Sequence, residues 1–350
     1  MNEPDRRKDD QVSIYDIARA AGVNPSTVSR ALNNRDRIGT ATRTKILRIA
    51  EDLGYQPSAI ARSLTTRRTN TIGVVAPSLG DPYMAKVVDG IEQQAGDRDY
   101  RVLFSTSRRD PDRELTIANN FQRHRVDAVI IVATHFRRTY RLFETTLNVP
   151  VVLVGQEDPS SDIALVAVDD RAAIRDSVSH LVGLGHRRFA FVGVDDRPFS
   201  NDARARAFRE AIGELAPNAM ITEITRSEVT DLERGTASCL EIRDAGITAA
   251  QCYNDMIAVG LIGAALRSGL DVPGHLSVVG YDDLDISAYL PIPLTTVRQP
   301  REELGRTAVD LVLAILEGGP RSRSFMTGQL VVRETTAPPK NRKNGAQPGT

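Results

Sequence analysis

Nine short segments rich in β-branched and other apolar residues recur from residue 71 onward, and this recurrence constrains the fold more than any other feature. They are TIGVVAP, YRVLFSTS, VDAVIIVAT, VPVVLVG, IALVAV, RRFAFVG, AAQCYN, LSVVGYD and LTTVRQ. Between them lie runs with helical spacing of apolar residues, such as MAKVVDGIEQQAGD and RARAFREAIGELA. Strands alternating with helices build parallel sheets covered by helices on both faces, the doubly wound α/β class. The strand count predicts two sheets of five or six strands rather than one. In such sheets ligands bind beyond the carboxyl ends of the strands, so two lobes predict a cleft between them.

The chain is 350 residues long, which points to two or three domains. No apolar run approaches the ~20 residues of a membrane span, and the start, MNEPDRRKDDQ, has no apolar stretch behind its charges. A secretory signal and a membrane partner are therefore not expected, and the cytoplasm is. Cys239 and Cys252 lack metal-site or redox spacing and sit in apolar segments, which predicts buried structural thiols. The formal net charge of zero hides an asymmetry. Residues 13–70 carry 10 Arg/Lys against 4 Asp/Glu, a net of +6; residues 71–336 carry 29 against 37, a net of −8. A basic end on an acidic body suits a protein that presents one end to a polyanion.

That basic end has its own pattern. Ser13-Ile14-Tyr15-Asp16 reads as a helix start with Ser13 as N-cap and Asp16 at N3. Ile14, Ile17, Ala18 and Ala21 form one stripe, and Gly22 stops the helix after two turns. After Val23, an apolar plug, Asn24-Pro25 restarts a helix with a cap and a proline at N1. Val28, Ala31 and Leu32 face inward, while Ser26, Thr27, Ser29 and Arg30 face outward. Two short helices around a glycine turn make a helix-turn-helix. Small polar residues and an arginine on the first turn of its second helix suit close approach to a DNA major groove. A third helix is expected from about Thr40 to Leu53, with Ile46, Ile49, Ala50 and Leu53 inward and Gly54 at its end. The segment after Pro57 is helix-prone but too short to hold alone, which fits folding on a partner.

VSIYDIARAAGVNPSTVSRALN and LGYQPSAIARSL resemble the DNA-binding head and hinge helix of the LacI/GalR family of bacterial repressors. The resemblance implies a helix-turn-helix domain at 13–57, a hinge helix and linker at 58–69, and an effector-binding core at 71–336. It implies that Pro25, Ser26 and Arg30 read the half-site, and that Tyr15, Thr27, Ser29 and Asn33 hold the DNA backbone. Ala61 and Leu64 match hinge positions, with Leu64 resembling a leucine that wedges into the minor groove. Gly39 stands where many relatives carry a serine cap for the third helix, so that either Thr40 serves instead or the helix start is looser.

The core contains no GxGxxG after its first strand, no GxxxxGK[ST], no GxSxG and no HExxH, and its histidines are dispersed. These absences disfavour a nucleotide-dependent or hydrolytic enzyme, and no catalytic residue, cofactor or metal is expected. A sugar-transport receptor would explain the body but not the basic head. His186 is expected to organise a loop. Asp81, Arg204, Asn254, Asp255 and Asp282 stand at strand ends, where carboxylates, an amide and a guanidinium can pair with vicinal hydroxyls. Tyr83, Phe199 and Tyr281 are candidates to stack on a sugar face.

TIGVVAPSLGDPYM, LGHRRFAFVG, YNDMIAVGLI, LSVVGYDDL and LTTVRQP also resemble the same family's core, which is similar to periplasmic binding proteins of type I. The N-lobe is then expected at about 71–168 and 299–328, and the C-lobe at about 169–297 and 329–336. By that resemblance Arg204, Asn254 and Asp282 grip the effector, Asp81, Tyr83, Ser200 and Asp169 line the same cleft, and Asp255 supports it. Gln156, Asp170 and the loop 195–201 depart from the family pattern and bear on which effector is read. A sugar or sugar derivative is the expected ligand, with a purine or nucleoside as the alternative. The ends, 1–12 and 337–350, are expected to be disordered. The tail has no heptad, so a homodimer on a pseudo-palindromic operator is expected rather than a tetramer.

Overall fold

The computed structural model describes residues 12–32, 38–55, 68–132, 143, 145–155, 162–227 and 230–340. It divides into two compact units with a boundary between Thr69 and Asn70.

Among its described residues the first unit holds three helices, α1 (Ile14–Ala21), α2 (Pro25–Leu32) and α3 (Thr40–Asp52). The Asp16 carboxylate accepts from the Ser13 amide at 3.0 Å and from its hydroxyl at 2.6 Å, which fixes the start of α1. Gly22, at φ +69°, ends it in the left-handed conformation that glycine adopts without steric cost. The Asn24 side chain accepts from the Ser26 amide at 3.0 Å and so caps α2, with Pro25 in its first turn. Ile17, Ala18, Ala21, Val28, Ala31, Ile46 and Ala50 close a small core. Lys45 donates to the Ala21 carbonyl at 3.0 Å, pinning α3 to the negative end of α1. Two expectations need correction. Of the two alternatives at the start of α3, Thr40 does not serve as cap: Gly39 is the N-cap and no side chain caps the helix. Leu53, expected inside, is 41% exposed, because the helix has already ended at Asp52.

Among its described residues the second unit contains two six-stranded sheets. The first has the order β11-β5-β4-β3-β1-β2 and is parallel throughout. Its strands are β1 (Thr71–Ala76), β2 (Arg101–Thr106), β3 (Ala128–Val132), β4 (Val151–Val154), β5 (Ala164–Val168) and β11 (Arg323–Met326). Helices α4 (Pro82–Asp97) and α10 (Arg301–Leu316) cover one face, and α5 (Pro111–Arg123) covers the other. The second sheet has the order β12-β10-β9-β8-β6-β7. It comprises β6 (Arg188–Val194), β7 (Met220–Arg226), β8 (Ala249–Cys252), β9 (Ser277–Asp282), β10 (Thr295–Arg298) and β12 (Gln329–Val331), with only β12 antiparallel to its neighbour. Helices α6 (Asp170–Gly183), α7 (Pro198–Leu215), α8 (Asp231–Asp244) and α9 (Asp255–Arg267) pack around it.

Each lobe contains a very close helix crossing made by a pair of glycines. A Cβ on Gly90 of α4 would overlap the Glu302 carbonyl, and one on Gly305 of α10 would overlap the Val87 carbonyl. In the second lobe Gly235 of α8 and Gly260 of α9 meet the backbones of Ile257 and Leu232 in the same way. The chain passes between the lobes three times: from β5 to α6, from β10 to α10, and from β11 to β12.

Three strands lie outside the nine expected segments: β7, β11 and β12. All three are edge strands or their extensions and lack a continuous apolar run. The tail is ordered further than expected. Thr335 exchanges hydrogen bonds with the β9 backbone, Ala337 with Ser277, and Lys340 reaches Asp271 at 2.8 Å. His186, 1% exposed, clamps this strap, with Nδ1 2.9 Å from Thr248 Oγ1 and Nε2 3.0 Å from the Ala337 carbonyl. Cys239 and Cys252 are free and buried. Among the described residues no helix is long and apolar enough to cross a membrane.

Candidate functional site

The outer face of α2 carries the expected DNA-reading residues. Ser26 and Arg30 are exposed, and Pro25, Thr27 and Ser29 are half-buried beside them. Arg30 folds back over its own helix, with Nε 3.3 Å from the Ser26 carbonyl and Nη2 3.4 Å from Ser26 Oγ. Tyr15, on α1, is 70% exposed, unusual for so large an aromatic in a unit this small. The expected contacts Asn33, Ala61 and Leu64 lie outside the described residues, as does Gln156.

Within the second unit a cavity lies between the two sheets. Its wall comes from residues just past strand ends: Pro77 and Asp81 after β1, Arg109 after β2, Gly155 after β4 and Asp170 after β5. The other sheet supplies Arg197, Phe199, Ser200 and Arg204 after β6, Tyr253 and Asn254 after β8, Asp282 at the end of β9, and Gln299 after β10. Both sheets thus point their carboxyl ends at one space, the position that doubly wound sheets give a ligand. Tyr83, Met84, Ala167, Val168 and Leu304 complete the lining.

Arg204 is the centre of the second lobe's wall. Its Nη1 donates to the Tyr253 carbonyl at 2.7 Å, its Nε lies 3.4 Å from Asp170 Oδ1, and its guanidinium rests 3.8 Å from the Tyr281 ring centroid. Burial opposes its charge, but the Asp170 carboxylate outweighs that and holds the guanidinium ionised. The Tyr281 hydroxyl donates to the same Asp170 oxygen. Arg197 forms a two-pronged pair with Asp231 at 2.9 and 3.0 Å, and Arg234 joins the same carboxylate group at 2.7 Å. Arg109 lies 3.7 Å from Asp81 and 4.0 Å from Asp196, so it touches carboxylates of both lobes.

Asp282 is 5% exposed, and burial pushes its carboxyl well above the usual range, with Arg204 only partly opposing. Gln299 Nε2 donates to it at 2.6 Å, while the Tyr83 hydroxyl donates to Gln299 Oε1 at 3.3 Å. One amide thereby joins Tyr83 on α4 to Asp282 on the other sheet. Burial also pushes the Tyr83 hydroxyl upward, so it stays a donor.

The cavity brings together six of the seven expected effector residues, namely Asp81, Tyr83, Ser200, Arg204, Asn254 and Asp282. The seventh, Asp169, is displaced by one position. Its side chain accepts from the Ala172 amide at 3.0 Å and caps α6, and Asp170 turns into the cavity instead. Neighbours at a helix start point apart, so only one of the two can face the cleft. Tyr281, expected to stack on ligand, is fully buried beneath Arg204. Asp255 is also fully buried and accepts from the Leu284 amide and the Ser287 and Thr296 hydroxyls, holding the loop after β9. Asn254 has both ends engaged, with Asp231 at 2.6 Å and the Ile257 amide at 3.0 Å. Ser200 Oγ sits 2.7 Å from the Tyr253 hydroxyl.

Of the polar wall residues, Arg109, Tyr253 and Gln299 were not selected by sequence reasoning, and Asp170 and the loop holding Arg197 were singled out only as departures from the family pattern. The usable signal was position: Tyr253 and Gln299 directly follow strand segments, whereas Arg109 and Arg197 stand in loops without any pattern. Among the described residues no group of His, Cys, Asp or Glu is arranged to hold a metal ion.

Residues 13–58 match the lacI family of bacterial regulatory proteins, and residues 178–336 match a periplasmic binding protein-like domain. Catabolite control protein A of Priestia megaterium is 32% identical over 303 residues, covering 86% of this chain and 91% of that protein. A crystal structure of the lac repressor dimer bound to operator and the anti-inducer ONPF superposes with a TM-score of 0.83 at 27% identity, covering 93% of this chain and 99% of the other. A complex of the transcriptional regulator CelR with cellobiose gives 0.69 at 25% identity, with coverage of 93% and 99%.

Proposed function

The chain is a DNA-binding transcriptional regulator of the LacI family, and from that premise we propose that it is a dimeric repressor whose grip on DNA is set by a neutral, hydroxyl-rich small molecule in the cleft. The observation that carries the ligand class is charge compensation. Each guanidinium at the cavity has a carboxylate beside it: Arg197 and Arg234 with Asp231, Arg204 with Asp170, and Arg109 with Asp81 and Asp196. Burial drives the remaining acid, Asp282, toward its neutral form. An anionic ligand would have to displace an existing carboxylate, whereas hydroxyls can donate to carboxylates and accept from guanidinium groups without doing so.

A carbohydrate meets these demands with its hydroxyls, and Phe199 and Met84 offer apolar surface for its ring face. The cellobiose bound by CelR is in keeping with that class. A nucleoside is the second reading, favoured by the two aromatic residues Phe199 and Tyr83 in the cavity lining. In either case two copies place two heads on a pseudo-palindromic operator, as expected for this kind of helix-turn-helix protein. Ligand and DNA then need only prefer different closures of the cleft, with a coupling of typically ~1–3 kcal/mol.

The test is a thermal-shift series on the full chain with neutral monosaccharides and disaccharides, nucleosides, and their phosphorylated or uronic acid counterparts. A neutral member at a hundredfold excess over its Kd is expected to raise Tm by roughly 5–10 °C. Stabilisation by the anionic members alone would overturn the assignment. A shift from nucleosides but not sugars would select the second reading.

A further inference from the structure

Asp282 and Asp283 form a backbone feature that ligand binding alone does not require. Their φ angles are +125° and +52°, and neither residue is glycine. Side-chain-bearing residues are strained in this region, and two in succession persist only where the surroundings hold both. They are 5% and 8% exposed, so both side chains meet protein groups rather than open solvent.

Those groups are visible. The Asp282 carboxylate faces the cleft and accepts from Gln299 at 2.6 Å. The Asp283 carboxylate turns the other way and accepts from Arg298 Nε and Arg333 Nη2, each at 2.6 Å. Its carbonyl accepts from Arg301 Nη2 at 2.9 Å. Arg298, Gln299 and Arg301 belong to the passage from β10 to α10. Arg333 follows β12, which the chain enters by the passage from β11. One strained dipeptide therefore presents one carboxylate to the ligand space, while its other residue holds the β10-to-α10 passage through Arg298 and Arg301 and the segment after β12 through Arg333.

We propose that Asp283 is a positioning residue of the effector site: its pairs with Arg298 and Arg333 hold the elbow that aims Asp282 into the cleft. By the same mechanics, a hydrogen bond made by a ligand to Asp282 is felt at the β10-to-α10 passage between the lobes and at the segment after β12. The proposal relies on the effector reading only for what loads Asp282; the elbow itself belongs to the unliganded chain. It differs from a plain structural salt bridge, which would affect stability without changing Asp282.

The experiment uses the full-length protein without ligand, labelled with 13C at the aspartate carboxyl carbons. The Asp282 signal is assigned by its loss in Asp282→Asn, and backbone hydrogen exchange is followed in parallel. In Asp283→Asn the Asp282 signal is expected to shift, and exchange at residues 298–301 and 329–333 to rise at least tenfold, with the sheet interiors unchanged. Arg298→Met leaves Arg333 in place at a half-exposed position, so it keeps the fold if the first variant does not. It is expected to move the Asp282 signal in the same direction by less, and Arg298→Lys to restore most of it. An unmoved Asp282 signal in both variants, with or without a lower Tm, overturns the proposal, as does a shifted signal with unaltered exchange. Because no ligand is present, this failure is separate from a failed ligand series, which would count against the effector reading alone.

Discussion

Arg30 lies along its own helix, held to Ser26 by two long contacts of 3.3 and 3.4 Å. Such contacts are weak, so the guanidinium is free to extend to a base edge at little cost. Arg30→Ala is expected to lose about 1–3 kcal/mol of preference for a duplex selected from a random pool, while binding to unselected duplex and the ligand-induced Tm shift stay near wild type. Fluorescence anisotropy with both duplexes reads the difference. His186 offers a second test at this scale. Burial lowers its pKa, so the folded protein holds it neutral while the unfolded chain takes up a proton near pH 6.5. Its contribution is complete above that value and lost as pH falls below it, by at most ~1.4 kcal/mol per pH unit. Tm measured from pH 7.5 to 5.5 should therefore fall more in wild type than in His186→Gln; parallel curves would show that His186 carries no proton linkage. Part of the wall of the cleft was readable in sequence from polar residues that end or follow a strand, as Asp282 and Asn254 do. It was unreadable where facing depends on one step of helix phase, as with Asp169 and Asp170, or on a loop path, as with Arg197.

At the scale of elements, the two glycine crossings are the tightest joints. Gly90 and Gly305 let α4 and α10 approach until only backbone separates them. Gly305→Ala is expected to push these helices apart and cost about 1–3 kcal/mol, a drop in Tm of roughly 2–10 °C. Gly213→Ala is the control, because the exposed Gly213 on α7 has no heavy atom within 4 Å of where an alanine methyl would stand, and alanine favours a helix. Differential scanning calorimetry should show the two variants shifting in opposite directions. In sequence a mid-helix glycine looks like a weakness, and only the partner helix reveals it as a contact. The strands show a similar limit. Those of the sheet interiors, such as AVIIV of β3, are buried throughout and announce themselves. β7, with its MITEITR sequence, buries one residue of seven, and β12 has only three residues, so neither carries a distinctive pattern.

For the whole molecule, charge separates the two tasks. Net charges of +6 on residues 13–70 and −8 on residues 71–336 confine attraction for DNA to one end. Affinity for unselected duplex should fall by at least ~10³ between 50 and 200 mM salt if two heads bind together, while sedimentation should report a particle of twice the chain mass. A monomer with a shallow salt slope would contradict the dimeric arrangement. The three passages between lobes also impose a timetable on synthesis. The head's helices and core are complete once Tyr55 has emerged, but the first sheet waits for Met326 and the second for Val331. At the usual pace of translation that interval lasts roughly 15–55 s. A nascent or prematurely released chain can thus carry a finished reading head on an unfinished receptor, deaf to its signal. For a regulator of this build, faithful completion of the last thirty residues is itself part of control.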